Sequence, residues 1–92
     1  MIQALLMINV QRSFIPQTAQ KLLEIKGIRE VYSVTGDYDL VAIVSVAEYD
    51  ELAEVVTERL AAIETITKTQ TMVAFKVYSR ADLEQSWQIG VD

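Results

Sequence analysis

The sequence predicts a single α+β domain with four strands and two helices in the order β-α-β-β-α-β. Three observations carry this reading. Strand-like runs rich in apolar and β-branched residues stand at positions 4–10, 28–35, 40–46 and 66–78. Two stretches between them repeat their apolar residues at helical spacing, and a Gly-Asp turn separates the second run from the third. At 92 residues, 51% of them hydrophobic and 23% charged, the chain fits one domain and carries more apolar material than one small core easily hides.

Each element has its own justification. In Ala4 to Val10 both alternating sets, Ala4, Leu6, Ile8, Val10 and Leu5, Met7, are apolar, which predicts a strand covered on both faces. Ser13 to Pro16 marks a helix entry, because Pro has no donor to lose in a first turn. Ile15, Ala19, Leu22 and Leu23 then form one apolar stripe, and Gly27, with Lys26 at the negative end of the dipole, is expected to stop the helix. Ile28 to Thr35 reads as the second strand and Leu40 to Val46, nearly all apolar, as the third. The turn Gly36-Asp37-Tyr38-Asp39 joins them, with Gly36 or Asp37 free to take a positive φ. Ser45 to Glu48 has capping-box spacing, and Tyr49, Leu52, Ala53, Val56, Leu60 and Ile63 predict the second helix. Ile66 to Tyr78 is a long strand with Thr67, Thr69, Thr71, Val73, Phe75 and Val77 on one face. Residues 79–92 read as a C-terminal extension, in which Leu83 and Trp87, with Ser79 and Asp82 placed like a cap, suggest a short helix.

Connection rules fold this order into a ferredoxin-like arrangement: a four-stranded antiparallel sheet with both helices on one face. The other face is left bare. Strands one and three are apolar on both sides, so two sheets packed face to face are expected, giving an obligate dimer.

Composition excludes several kinds of chemistry. With no His and no Cys, the chain has no nitrogen or sulfur ligands for a Zn, Cu or Fe-S site, no Ser-His-Asp or Cys-His relay and no disulfide. Eight Lys and Arg against thirteen Asp and Glu give a net charge of -5, with the bases scattered singly, which argues against direct nucleic-acid binding. No apolar run approaches the roughly 20 residues that span a bilayer, and Met1 to Val10 lacks a signal-peptide pattern, so a cytoplasmic protein without membrane contact is expected. No cofactor is implied. The acids Glu48, Asp50, Glu51, Glu54 and Glu58 read as a solvated helix face, and Met7 and Met72 as core or pocket lining.

The turn Gly36 to Asp39, the LVAIVSV strand after it and the Thr-x-Thr pair Thr69 and Thr71 together resemble the effector domain of the Lrp/AsnC, or feast/famine, regulators, also called the RAM domain. The resemblance covers about residues 2 to 78, matching a domain at 1–78. It implies a dimeric α/β barrel, assembled further into a ring of dimers, that binds small effectors such as amino acids where dimers meet. Family members normally carry a DNA-reading helix-turn-helix, and here the first strand begins at once. A stand-alone effector domain is therefore expected, one that could associate with full-length Lrp/AsnC regulators.

An α-amino acid needs acceptors for its ammonium and donors for its carboxylate. Gly36 permits close backbone approach, Asp37 and Asp39 are charged acceptors, and Thr69 and Thr71 could donate, if need be from a neighbouring subunit. The resemblance carries the ligand-binding role onto Gly36, Asp37, Tyr38, Asp39, Thr69 and Thr71. The plain alternatives are turn stabilisation for the two Asp and strand propensity for the Thr residues. Tyr38 serves either a ligand or partner or a cross-strand contact, and Trp87 is expected to dock on the protein itself. The expected function is effector binding coupled to assembly, without catalysis. Two alternatives are a cofactor-free enzyme of the dimeric barrel class, disfavoured by the missing His, and a purely structural subunit joined to full-length regulators.

Overall fold

The computed structural model describes residues 1–80 and shows a ferredoxin-like α+β fold. Strand β1 (Ile2–Val10) leads through one 3-10 turn (Arg12–Phe14) into helix α1 (Ile15–Leu23). Strands β2 (Ile28–Ser33) and β3 (Leu40–Val46) form the hairpin, and helix α2 (Tyr49–Glu54) runs on as a π-helical turn (Val55–Arg59) before strand β4 (Ile66–Val73). The sheet order is β2-β3-β1-β4, with every neighbour antiparallel.

Register decides which side chains share a face. Ala4, Leu6 and Ile8 stand opposite Val44, Ala42 and Leu40, and all six are buried with Val10 and Val46 beneath the helices. Leu22 of α1 and Leu52, Val55 and Leu60 of the second helical segment close this core. The alternate set, Leu5 opposite Ile43 and Met7 opposite Val41, lies on the face that no helix covers. Tyr32 opposite Val41 and Met72 opposite Leu5 widen that face, so Met72 is solvent-exposed rather than core.

Several boundaries depart from the sequence expectation for identifiable reasons. Helix α1 stops at Leu23, before Gly27, because the N–H groups of Glu24 and Ile25 turn back to Lys21 and Leu22 in tight i to i−3 bonds. Thr18 takes the place in the buried stripe expected for Leu23, which is exposed. The Thr18 hydroxyl is satisfied there by the Phe14 carbonyl at 2.7 Å and by Thr65 Oγ1 at 2.6 Å. The Ser45 to Glu48 capping box does not form, since Ser45 and Val46 belong to β3. Instead Glu51 reaches back to accept from the Ala47 N–H at 2.9 Å. In the second helix Tyr49, at its first position, is exposed, and Val55 is buried because the π turn, closed by Leu60 N–H to the Val55 carbonyl at 2.9 Å, sets Val55 and Leu60 on one face.

Strand β4 ends at Val73 rather than Tyr78. Its last link is the Ala74 N–H to the Gln3 carbonyl at 2.8 Å, and β1 starts at Ile2, so residues beyond have no strand beside them. A register shift at Asn9/Val10 places Ile66 opposite Val10, which takes Thr67 out of the simple alternation. The expected helix with Leu83 and Trp87, including its cap residue Asp82, lies outside the described residues.

Candidate functional site

The hairpin turn is tied to the end of β1 and to β4. Gly36 adopts φ +104°, as a left-handed turn position requires, and a side chain there would meet nothing within 4 Å. The Val34 N–H donates to the Asp39 carbonyl at 3.0 Å and the Asp39 N–H to the Ile8 carbonyl at 3.0 Å, which clamps the loop onto β1. Asp39 Oδ2 accepts from the Val10 N–H at 2.8 Å, just past Ile8 and Leu40, the last pair of the β1–β3 ladder. This carboxylate therefore fills a gap in the backbone pairing. Asn9 Nδ2 donates to the Asp37 carbonyl at 2.9 Å, leaving the exposed Asp37 carboxylate to face solvent. The Tyr38 hydroxyl donates to Gln70 Oε1 on β4.

Thr69 and Thr71 do share a strand face, as expected, but it is not the face that carries the turn's partners. They stand opposite Ile8 and Leu6, on the helix side of β4, whereas Gln70 and Asn9 stand with Met7 on the uncovered side. One chain thus joins Gly36, Asp37, Tyr38 and Asp39 to Asn9 and Gln70, and turns Thr69 and Thr71 the other way. Thr69 lines a cleft of about 250 Å³ between β4 and the end of the second helix, walled by Val56, Leu60 and Ile63. A second cleft, of about 370 Å³, lies at the opposite end of β3 from the Gly-Asp turn, between Lys26, Ser45, Glu51 and Arg59.

Asn9 and Gln70 escaped sequence reasoning. Asn9 had a signal, being the single polar residue in the run from position 4 to 10. Gln70 had none, because its partner Tyr38 is 32 residues away. The Tyr32 phenol pKa is raised by its hydrogen bond to Glu30 at 3.0 Å and by that carboxylate's charge. Among the described residues no cluster of three or more His, Cys, Asp or Glu could hold a metal ion, and no helix is long and apolar enough to cross a membrane.

Comparison with known proteins places this geometry. A family model described as the Lrp/AsnC ligand binding domain matches residues 3–83. The HTH-type transcriptional regulator FL11 of Pyrococcus furiosus is 34% identical over 77 residues, which cover 84% of this chain and 50% of that protein. This chain spans half or less of the length of the curated relatives it matches. The crystal structure of TTHA0845 from Thermus thermophilus superposes with a TM-score of 0.81 at 38% identity, covering 87% of this chain and all of that one. The transcriptional regulator NMB0573 of Neisseria meningitidis, solved as an L-Met complex, shares the fold at a TM-score of 0.77 and 12% identity, covering 86% of this chain and 53% of that one. With four antiparallel strands, two helices on one face and a family match over most of its length, the chain belongs to the Lrp/AsnC ligand binding domain family.

Proposed function

We propose that this domain senses a small amino-acid effector and reports it through self-association in transcription regulation. The observation that carries the reading is the division of the candidate residues between two faces. A ligand that touches both the Gly36 to Asp39 turn and the Thr69/Thr71 pair must then lie between copies, with each copy supplying one half. The exposed Asp37 carboxylate offers an acceptor for an ammonium, and the Thr hydroxyls offer donors for a carboxylate. A site shared by copies binds the assembled state better than the separate one, which is what coupling occupancy to assembly requires. The uncovered apolar face supports a dimer of facing sheets. The Neisseria meningitidis relative was solved with L-Met, which supports an amino acid as the ligand class and leaves its side chain open. Because the matched relatives extend well beyond this domain, co-assembly with longer regulators of the family is part of the proposal. We assign no reaction to the site.

A thermal-shift screen of the twenty amino acids tests it. A cognate ligand at ~100 times its Kd stabilises the bound state by about 2.7 kcal/mol, roughly a 10 °C rise or more for a domain of this size. The rise should shrink in Asp37→Ala and in Thr71→Val. No shift with any amino acid at millimolar concentration would overturn the reading.

A further inference from the structure

The cleft at the far end of β3 from the Gly-Asp turn has a volume of about 370 Å³, within the range of small-ligand sites. Its floor is apolar, formed by Val46 of β3 and Val55 of the second helical segment, both buried. Gly27 keeps one flank open, because a Cβ there would lie 2.8 Å from Val46 Cγ1. The two walls differ in charge. Lys26, on the connection from α1 to β2, stands on one of them and has no ionic partner among the described residues. The second helical segment supplies Glu51, Glu54 and Arg59 to the other, which leaves that wall one negative charge in excess.

Arg59 owes its place to the π turn. In an α-helix residues five apart point about 140° away from each other round the axis. Here the turn closed by the Leu60 N–H and the Val55 carbonyl brings Arg59 Nη2 to 3.7 Å from Glu54 Oε1. Such windings are rare and gather at functional sites. Both side chains of this pair are more than half exposed, so the contact is loose and each keeps polar atoms for a ligand. Glu51 uses Oε2 for the Ala47 N–H and keeps Oε1.

We infer that this cleft binds a small zwitterion with its charges at opposite ends, the ammonium on Glu51 and Glu54, the carboxylate on Lys26, and an apolar stem across Val46 and Val55. A plain anion would meet two carboxylates there and a plain amine two cations. An α-amino acid, with both charges on one carbon, offers no separate charged end to each wall. Short peptides and ω-amino acids share the required chemistry. The site is remote from the Gly36 to Asp39 turn and stands independently of the effector reading above.

Calorimetric titration of the full chain with ε-aminocaproate, with its isomer norleucine and with L-alanyl-L-alanine tests the assignment. The first or the third should bind with a Kd of about 1 mM or tighter, at least 10-fold weaker in Lys26→Met and in Glu54→Gln and unchanged in Asp37→Ala. Tighter binding of the dipeptide identifies a peptide as the source, and tighter binding of ε-aminocaproate an ω-amino acid. Lys26 and Glu54 are exposed, and circular dichroism checks that both variants fold. Binding that survives both variants, binding lost in Asp37→Ala, or norleucine binding that depends equally on Lys26 overturns the inference, as does failure of both probes to bind. A reading that needs no variant comes from nuclear magnetic resonance of the unaltered chain, in which the bound probe should shift the Val46 and Val55 methyl signals. Shifts that miss both residues overturn it as well.

Discussion

At Tyr32 the phenol donates to the Glu30 carboxylate at 3.0 Å, two residues back along β2 and on the same side of the strand. The bond and the neighbouring negative charge both favour the protonated phenol, so its pKa is raised. A raised value means that the bond contributes below the ordinary phenol range and is lost as pH climbs through the folded-state value. Glu30→Ala should therefore move the Tyr32 titration down in pH, read as the absorbance difference at 295 nm against a Tyr32→Phe reference. An unchanged titration would show that the carboxylate has no hold on the phenol. Asp39 and Asn9 teach a related lesson at the turn. Their residue types announced polar chemistry in the sequence, but their tasks, capping the Val10 N–H and holding the Asp37 carbonyl, depend on residues about thirty positions away.

At the scale of elements, local pattern located the four strands and two helical segments of the described residues, and misjudged how some of them end. Gly27 was expected to terminate α1, and it stands instead where the chain turns into β2, with φ +102° and its carbonyl accepting from the Ser45 N–H at 2.8 Å. A Cβ at this position would lie 2.8 Å from Val46 Cγ1, and Val46 is buried in β3. Gly27→Ala combines left-handed strain with overpacking and should cost about 2–4 kcal/mol. Thermal unfolding checks this, with an expected fall of roughly 10–20 °C for a two-state domain near this size. A loss below a few degrees would mean that the junction relaxes freely. The second helix carries the other misjudgement. A period of 3.6 put Tyr49 and Ala53 in the stripe, where both are exposed, and passed over Val55, which the π turn buries on one face with the expected Leu60, a winding that no hydrophobic periodicity specifies.

For the molecule as a whole, the decisive feature is a sheet with helices on one side only. Leu5, Met7, Val41 and Ile43 form the middle of the uncovered side, which was legible as strands apolar on both alternating sets. In the proposed dimer Ile43 is central to the contact. Ile43→Glu places an unpaired charge there and should weaken dimerisation by at least about 100-fold, since an uncompensated buried charge costs roughly 3–5 kcal/mol. The monomer core should survive, because Ile43 takes no part in it. Sedimentation measures the first outcome and circular dichroism the second, and an undiminished dimer would place the interface elsewhere.

By itself the sequence determined the order of strands and helices, the turn at Gly36 and the chemistry missing from a chain without His or Cys, because each of these is a local property of spacing or residue type. The tertiary structure alone decided that β4 loses its ladder after Val73 and that the turn and the Thr pair look to opposite sides of the sheet. Those outcomes rest on hydrogen bonds between residues far apart in the chain. Where β1 begins limits how far β4 can pair, and a one-residue shift at Asn9/Val10 resets the alternation beyond it, neither of which leaves a mark on the sequence of β4 itself.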